Sequence, residues 1–152
     1  MKPIRKILGT IDLDLVTPPL IQLVREVATS FGAEVELIHV FETPGYQGPA
    51  RLDLTMEHSP VLEHWRTAKI MVKLLKELAE AGVVAHGRMA FGVVEEVVAA
   101  QAEKEGFDLI IVGSHSREGL DRMVHFSVAA ALIRLAHCPV LVLPHMRDAI
   151  PS

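Results

Sequence analysis

The residues whose types could do chemistry are concentrated in Gly113-Ser114-His115-Ser116-Arg117-Glu118-Gly119, with Phe126-Ser127 shortly after. The stretch follows an apolar run, Asp108-Leu109-Ile110-Ile111-Val112-Gly113, and precedes a helix expected near residues 127–136. A junction between a buried strand and a helix N-terminus leaves backbone N–H groups free to hold an anion, so phosphate is the first chemistry to consider. Arg117 could pair with such a group, although a loop arginine is more often only solvated. Ser127 suits an N-cap or the first turn of that helix. Far away in the chain, Asp12 ends the short apolar run 7–11, where an acidic residue commonly caps the following loop.

Other chemistries find less support. His115 and His125 flank the loop, but no histidine pair has the spacing that puts two ligands on one helical face, and Cys138 sits in a strand-like run. No metal is expected. Ser114 and Ser116 adjoin His115 in sequence, which does not align them for proton transfer, and no Gly-x-Ser-x-Gly turn occurs. Cys138 itself reads as a small buried hydrophobe.

These residues need elements to position them. The apolar run 7–11 reads as a strand, Pro18-Pro19 opens a helix running to about residue 31, and Gly32 stands where a helix-ending glycine belongs. A second strand covers 35–40. Residues 41–59 carry Pro44, Gly45, Gly48 and Pro49 without a sustained period and read as a long functional loop. From 60 to 81 apolar residues recur at helical spacing (Val61, Trp65, Ala68, Met71, Val72, Leu75, Leu78), which makes Trp65 and Met71 expected core residues. A strand at 83–90, a helix at 93–105, the strand 108–113, the helix near 127–136 and a strand at 139–143 complete the alternation. Strands alternating with helices imply right-handed crossovers and a parallel sheet covered on both faces. Ligands of such sheets sit beyond the strand C-termini where strand order reverses, at Asp12 and Gly113 here.

The chain's 152 residues suit one domain, taken as 1–145 with a loose tail at 146–152. Half of the residues are hydrophobic and only 5% aromatic, so the core must be aliphatic. A net charge of −4 without a long basic run argues against nucleic acid as a partner. The single cysteine suits a reducing compartment, and Asp12 and Asp14 interrupt any signal-peptide core, so a cytoplasmic location is expected. The apolar stretch 126–133 falls short of the roughly 18 residues a membrane span needs.

With those elements in place, Val112-Gly113-Ser114-His115, Ser127-Val128-Ala129 and Cys138-Pro139-Val140-Leu141-Val142 resemble the C-terminal half of universal stress proteins. The stretch from Lys6 to Asp12 and the strand ending at Val40 match as well, so the resemblance covers about residues 3–143. It implies a Rossmann-like α/β fold of the adenine nucleotide alpha hydrolase kind, a single-domain open five-stranded parallel sheet in the order 3-2-1-4-5. It further implies that Thr10 and Ile11 line a base pocket, Asp12 meets ribose or base, Val40 offers backbone groups to adenine, and Gly113, Ser116, Ser127 and Val128 face ribose and phosphate. ATP, accompanied by magnesium, is the implied cofactor.

Nucleotide-binding members carry Gly-x-x-Gly and later Gly-Ser or Gly-Thr. Here Gly113 is kept, Ser116 and Phe126 replace the other two glycines, and Ser127 keeps the final hydroxyl. A ring at a position needing no side chain implies a remodelled cleft. The expected function is a dimeric stress-response binding or regulatory protein, paired through Val140, Leu141, Val142 and Leu143. The alternative is an ATP-dependent switch or slow ATPase. An enzyme that activates carboxylates with ATP would need a phosphate loop after the first strand, and Gly9-Thr10-Ile11-Asp12-Leu13-Asp14 lacks it.

Overall fold

A computed structural model describes residues 1–13, 18–42, 60–114 and 122–144, the side chains of 60–63 and 122–127 excepted. Strands and helices alternate as β1 (Lys6–Thr10), α1 (Pro18–Phe31), β2 (Glu34–Glu42), α2 (Pro60–Glu80), β3 (Ala85–Gly92), α3 (Val94–Glu105), β4 (Leu109–Ser114), α4 (Arg122–Leu135) and β5 (Val140–Pro144). All pairings are parallel and the order is β3-β2-β1-β4-β5, as the sequence resemblance implied.

The period-2 alternation of a strand sends neighbouring side chains to opposite faces, and β1 and β4 are apolar on both. Ile7, Val35, Leu37 and Ile111 join Val24 of α1 and Met71 and Leu78 of α2 in one core layer. Leu8, Ile38, Ile110 and Val112 join Val98 of α3 and Leu132 of α4 in the other. Gly9 lets α1 approach closely, because a Cβ there would lie 3.0 Å from Leu37 Cδ2 and 3.5 Å from Val24 Cγ2. Gly106 ends α3 in the left-handed region (φ 68°), and its N–H returns to the carbonyls of Ala102 and Glu103.

Three expectations need correction. The third strand begins at Ala85 rather than at residue 83, because the N–H of Val83 bonds Leu78 O (3.0 Å) and closes the end of α2. The fourth helix begins at Arg122, so Ser127 lies inside α4 and not at its N-cap or first turn. Nothing between Gly119 and Pro139 breaks a helix, and the serine read as a start signal was not one. Trp65 is 63% exposed rather than a core residue, since the buried face of α2 is Thr67, Met71, Leu74 and Leu78. Trp65 and Val72 share an apolar period with that face but point well away from it around the helix.

Asp108 fastens the start of β1 to β4. Its Oδ2 accepts the N–H groups of Arg5 (2.9 Å) and Lys6 (3.0 Å), and Oδ1 lies 3.2 Å from Lys2 Nζ. Burial opposes ionisation, but those N–H donors and the ammonium outweigh it and hold the carboxyl below its ordinary value. A depressed folded pKa contributes stability that is fully present above the unfolded value, about 4, and is lost as pH falls through the folded one. Asp108→Asn should therefore lower the melting temperature at neutral pH, with the gap to wild type closing in strong acid. Melting curves across pH test this, and a gap independent of pH would show that the charge plays no part.

Candidate functional site

The sheet leaves a gap where β1 ends. Register pairs Lys6 with Glu34 and Thr10 with Ile38, and Ile11 N–H continues the ladder by donating to Ile38 O at 2.9 Å. Even-numbered residues of β2 thus turn their N–H and C=O toward β1, as the bond from Glu34 N–H to Arg5 O (2.9 Å) also shows. The next such residue is Val40. In a continuing ladder it would meet Ile11 O and Leu13 N–H, but the imidazole Nδ1 of His39 lies against both of those groups instead.

His39 is 4% exposed, and its Nδ1 lies 3.1 Å from Leu13 N and 3.1 Å from Ile11 O. A bare Nδ1 accepts from Leu13 N–H, whereas a protonated Nδ1 donates to Ile11 O; one nitrogen serves one of them at a time. Either way the ring clasps the backbone on both sides of Asp12 and turns β1 out of the sheet. The N–H and C=O of Val40 consequently face the vacated edge. The ring is braced edge-on by Phe41 (centroids 4.6 Å apart, 88°), which stacks on Phe91 (5.1 Å) and touches His64 (4.6 Å).

The structure places the expected residues unevenly. Thr10, two positions after Leu8, faces the α3 and α4 layer, and its Oγ1 is buried without a hydrogen-bond partner among the described residues. Val40 is 7% exposed, with its side chain in that same layer, and Val128 packs against it. Ile11 is 2% exposed in the opposite layer, where its side chain belongs to the core. Asp12 is half-buried at the turn out of β1. Gly113 is half-buried near the end of β4, opposite Leu143, and the following Ser114 donates Oγ–H to Leu143 O at 3.2 Å. Of the loop expected at 41–59, Phe41 and Glu42 instead continue β2, while 43–59, His115, Ser116 and Arg117 lie outside the described residues, as do the side chains of Phe126 and Ser127. Thr10, Asp12 and Val40 thus lie together at the C-terminal ends of β1 and β2.

Cys138 adds no nucleophile. It packs against the α3 and α4 layer, and burial, reinforced by the charge of Asp108, pushes its thiol up despite a contact with the Ile110 backbone.

Sequence reasoning missed His39. Its signal was a polar ring inside the apolar run Leu37-Ile38-His39-Val40, where a buried group must find partners. His39→Asn can place an amide atom where Nδ1 lies, while His39→Leu removes the one hydrogen bond that Nδ1 makes, which with Nδ1 as acceptor leaves Leu13 N–H unpaired at a cost of about 1–3 kcal/mol. Amide hydrogen exchange at Leu13 should speed up in the leucine variant and stay slow in the asparagine variant. Equal exchange in all three proteins would eliminate the clasp.

Comparison with known proteins agrees with this geometry. Residues 3–144 match the Universal stress protein family. Universal stress protein MJ0531 of Methanocaldococcus jannaschii is 37% identical over 117 residues, spanning 76% of this chain and 68% of its own. Universal stress protein A homolog 1 of Coxiella burnetii is 33% identical over 141 residues, spanning 90% of this chain and 94% of its own. The universal stress protein from Archaeoglobus fulgidus in complex with dAMP shares the fold at a TM-score of 0.63, with 14% identity over 93% of this chain and 98% of its own. The sheet order, the cleft at the end of β1 and these matches together establish that the chain belongs to the universal stress protein family.

Proposed function

We propose that this protein is a stress-response binding or regulatory protein whose cleft recognises an adenine nucleotide by its base and ribose rather than by a triphosphate. The observation that carries this reading is the parting of β1 from β2, which turns the N–H and C=O of Val40 toward an edge that no strand takes among the described residues. Adenine offers N1 as an acceptor and N6–H as a donor on one edge, the complement of that pair. Thr10 Oγ1, buried and unpaired, supports a polar ligand in the same layer, because a hydroxyl left so costs about 1–3 kcal/mol. Asp12 would take the ribose hydroxyls. Gly113, Ser116, Ser127 and Val128 would face the phosphate end, where Ser116 and Phe126 replace glycines of the family pattern. That the Archaeoglobus fulgidus relative holds dAMP, with one phosphate, is in keeping with such a preference.

The working unit is residues 1–145, cytoplasmic and dimeric through β5. Strand β5 is an edge of the sheet, Leu141 is 37% exposed there, and Ile133 and Leu135 at the end of α4 are 60% and 45% exposed. An apolar edge of this kind invites pairing with a second copy. Among the described residues no helix is long and apolar enough to cross a membrane.

Titration calorimetry of nucleotide-free protein with AMP, dAMP, cAMP and Mg-ATP tests the ligand. The monophosphates should bind at least as tightly as ATP, and a clear preference for ATP would favour the nucleotide-switch reading instead. Thr10→Val should raise stability by about 1 kcal/mol while weakening AMP, since it removes the unpaired hydroxyl. Lowered stability with unchanged AMP affinity would sink that assignment. In sedimentation, Leu141→Asp should convert dimer to monomer; a wild-type chain that is monomeric at high concentration would end the dimer proposal.

A further inference from the structure

The solvent side of α2 carries a second apolar stripe, of which Leu75 alone also packs against the core. Trp65, Ala68, Val72, Leu75 and Ala79 alternate by three and four residues, the spacing of a coiled-coil seam. Trp65 and Val72 are 63% and 65% exposed and lie ~10 Å apart along the axis. Ala68 and Leu75 are half-buried, and Leu75 leans with Met71 over Gly87 of the edge strand β3.

Charge follows the same repeat. Arg66 and Lys73, and Lys69 and Lys76, are each seven residues apart, all exposed and all on one flank of the stripe. No acidic residue occurs between His64 and Lys76, in a chain whose net charge is −4. Lys69 Nζ lies 5.0 Å from the centre of the Trp65 ring, which steadies an exposed indole, and the Lys76–Glu80 pair at 4.0 Å is long and exposed.

We propose that this face of α2 docks an amphipathic helix of a partner protein, one with apolar residues at heptad spacing and acidic residues along the flank that meets the lysines. The narrow seam with charge on a single flank matches a helix laid alongside α2. A bilayer would instead favour a wider apolar face with basic residues on both borders. A second copy presenting its own α2 would bring like charges together. The neighbouring β3 edge is less inviting to a strand, because Arg88 there is paired with Glu36 at 2.9 Å. Trp65 and Val72 would be the buried anchors, as exposed tryptophans often are in interfaces.

Trp65 is the sole tryptophan, so its fluorescence reports directly on this face. The probes are a synthetic three-heptad helix with leucine at the seam and glutamate on the flanks, the same peptide with lysine for glutamate, and phosphatidylcholine vesicles containing phosphatidylserine. The glutamate peptide should shift Trp65 emission to the blue saturably, and Lys69→Glu with Lys76→Glu should weaken it about tenfold, each reversed pair contributing modestly. The variants should melt like wild type, since both lysines are exposed. No shift, equal binding of the lysine peptide, a shift with vesicles alone, or self-association that Lys69→Glu abolishes would each overturn the proposal.

Discussion

A strand bonded on both edges and buried on both faces must satisfy every backbone group within the sheet, and β1 is placed under that constraint. It lies between β2 and β4 at the centre of the order, with Ile7 in one core layer and Leu8 in the other. Asp108 secures its entry by accepting the N–H groups that precede the ladder. Its exit pairs no further with β2 among the described residues, and there His39 Nδ1 supplies a bond. Both ends of the central strand are thus held by side chains from elsewhere in the chain, Asp108 just before β4 and His39 on β2, as buried backbone requires.

The cleft is a consequence of that exit. When β1 leaves the sheet, Val40 keeps a strand conformation but loses the neighbour it would have had, and Asp12 is carried to the rim. Backbone N–H and C=O groups are insensitive to the side chain that bears them, so the proposed role of Val40 asks nothing of its valine. The buried hydroxyl of Thr10 adds a polar atom to a layer otherwise filled by Val40, Val112 and Val128. Stability gains nothing from it, in keeping with the strain often stored at binding sites. The opposite edge of the molecule follows a different logic: α2 spends one face on the core and leaves a second one apolar and positively charged.

Much of the fold was legible because its signals are local. Apolar runs of strand length, separated by helices ending at Gly32, Gly82 and Gly106, imposed the α/β alternation, and the parallel sheet followed from connection lengths. Ambiguity arose where one pattern served two faces. In α2 the residues Trp65, Val72, Met71 and Leu78 all recur at helical spacing, and a period alone does not say which part of a wide apolar arc meets the sheet. In α4 the start was misplaced because serine is as compatible with a helix interior as with a cap when nothing upstream breaks the helix.

For the site, residue types and spacing identified Thr10, Asp12, Val40 and Gly113 as lying at strand ends, and the family resemblance attached roles to them. The sequence by itself determined the alternating elements, the aliphatic core and the presence of Ser116 and Phe126 where the family pattern has glycine, because each is read along the chain. Tertiary structure decided that His39 would lie between Ile11 and Leu13, that β1 would part from β2 before reaching Val40, and that Trp65 would face solvent. Those outcomes depend on the register between β1 and β2 and on the rotation of α2 against the sheet, which are set by packing among distant residues.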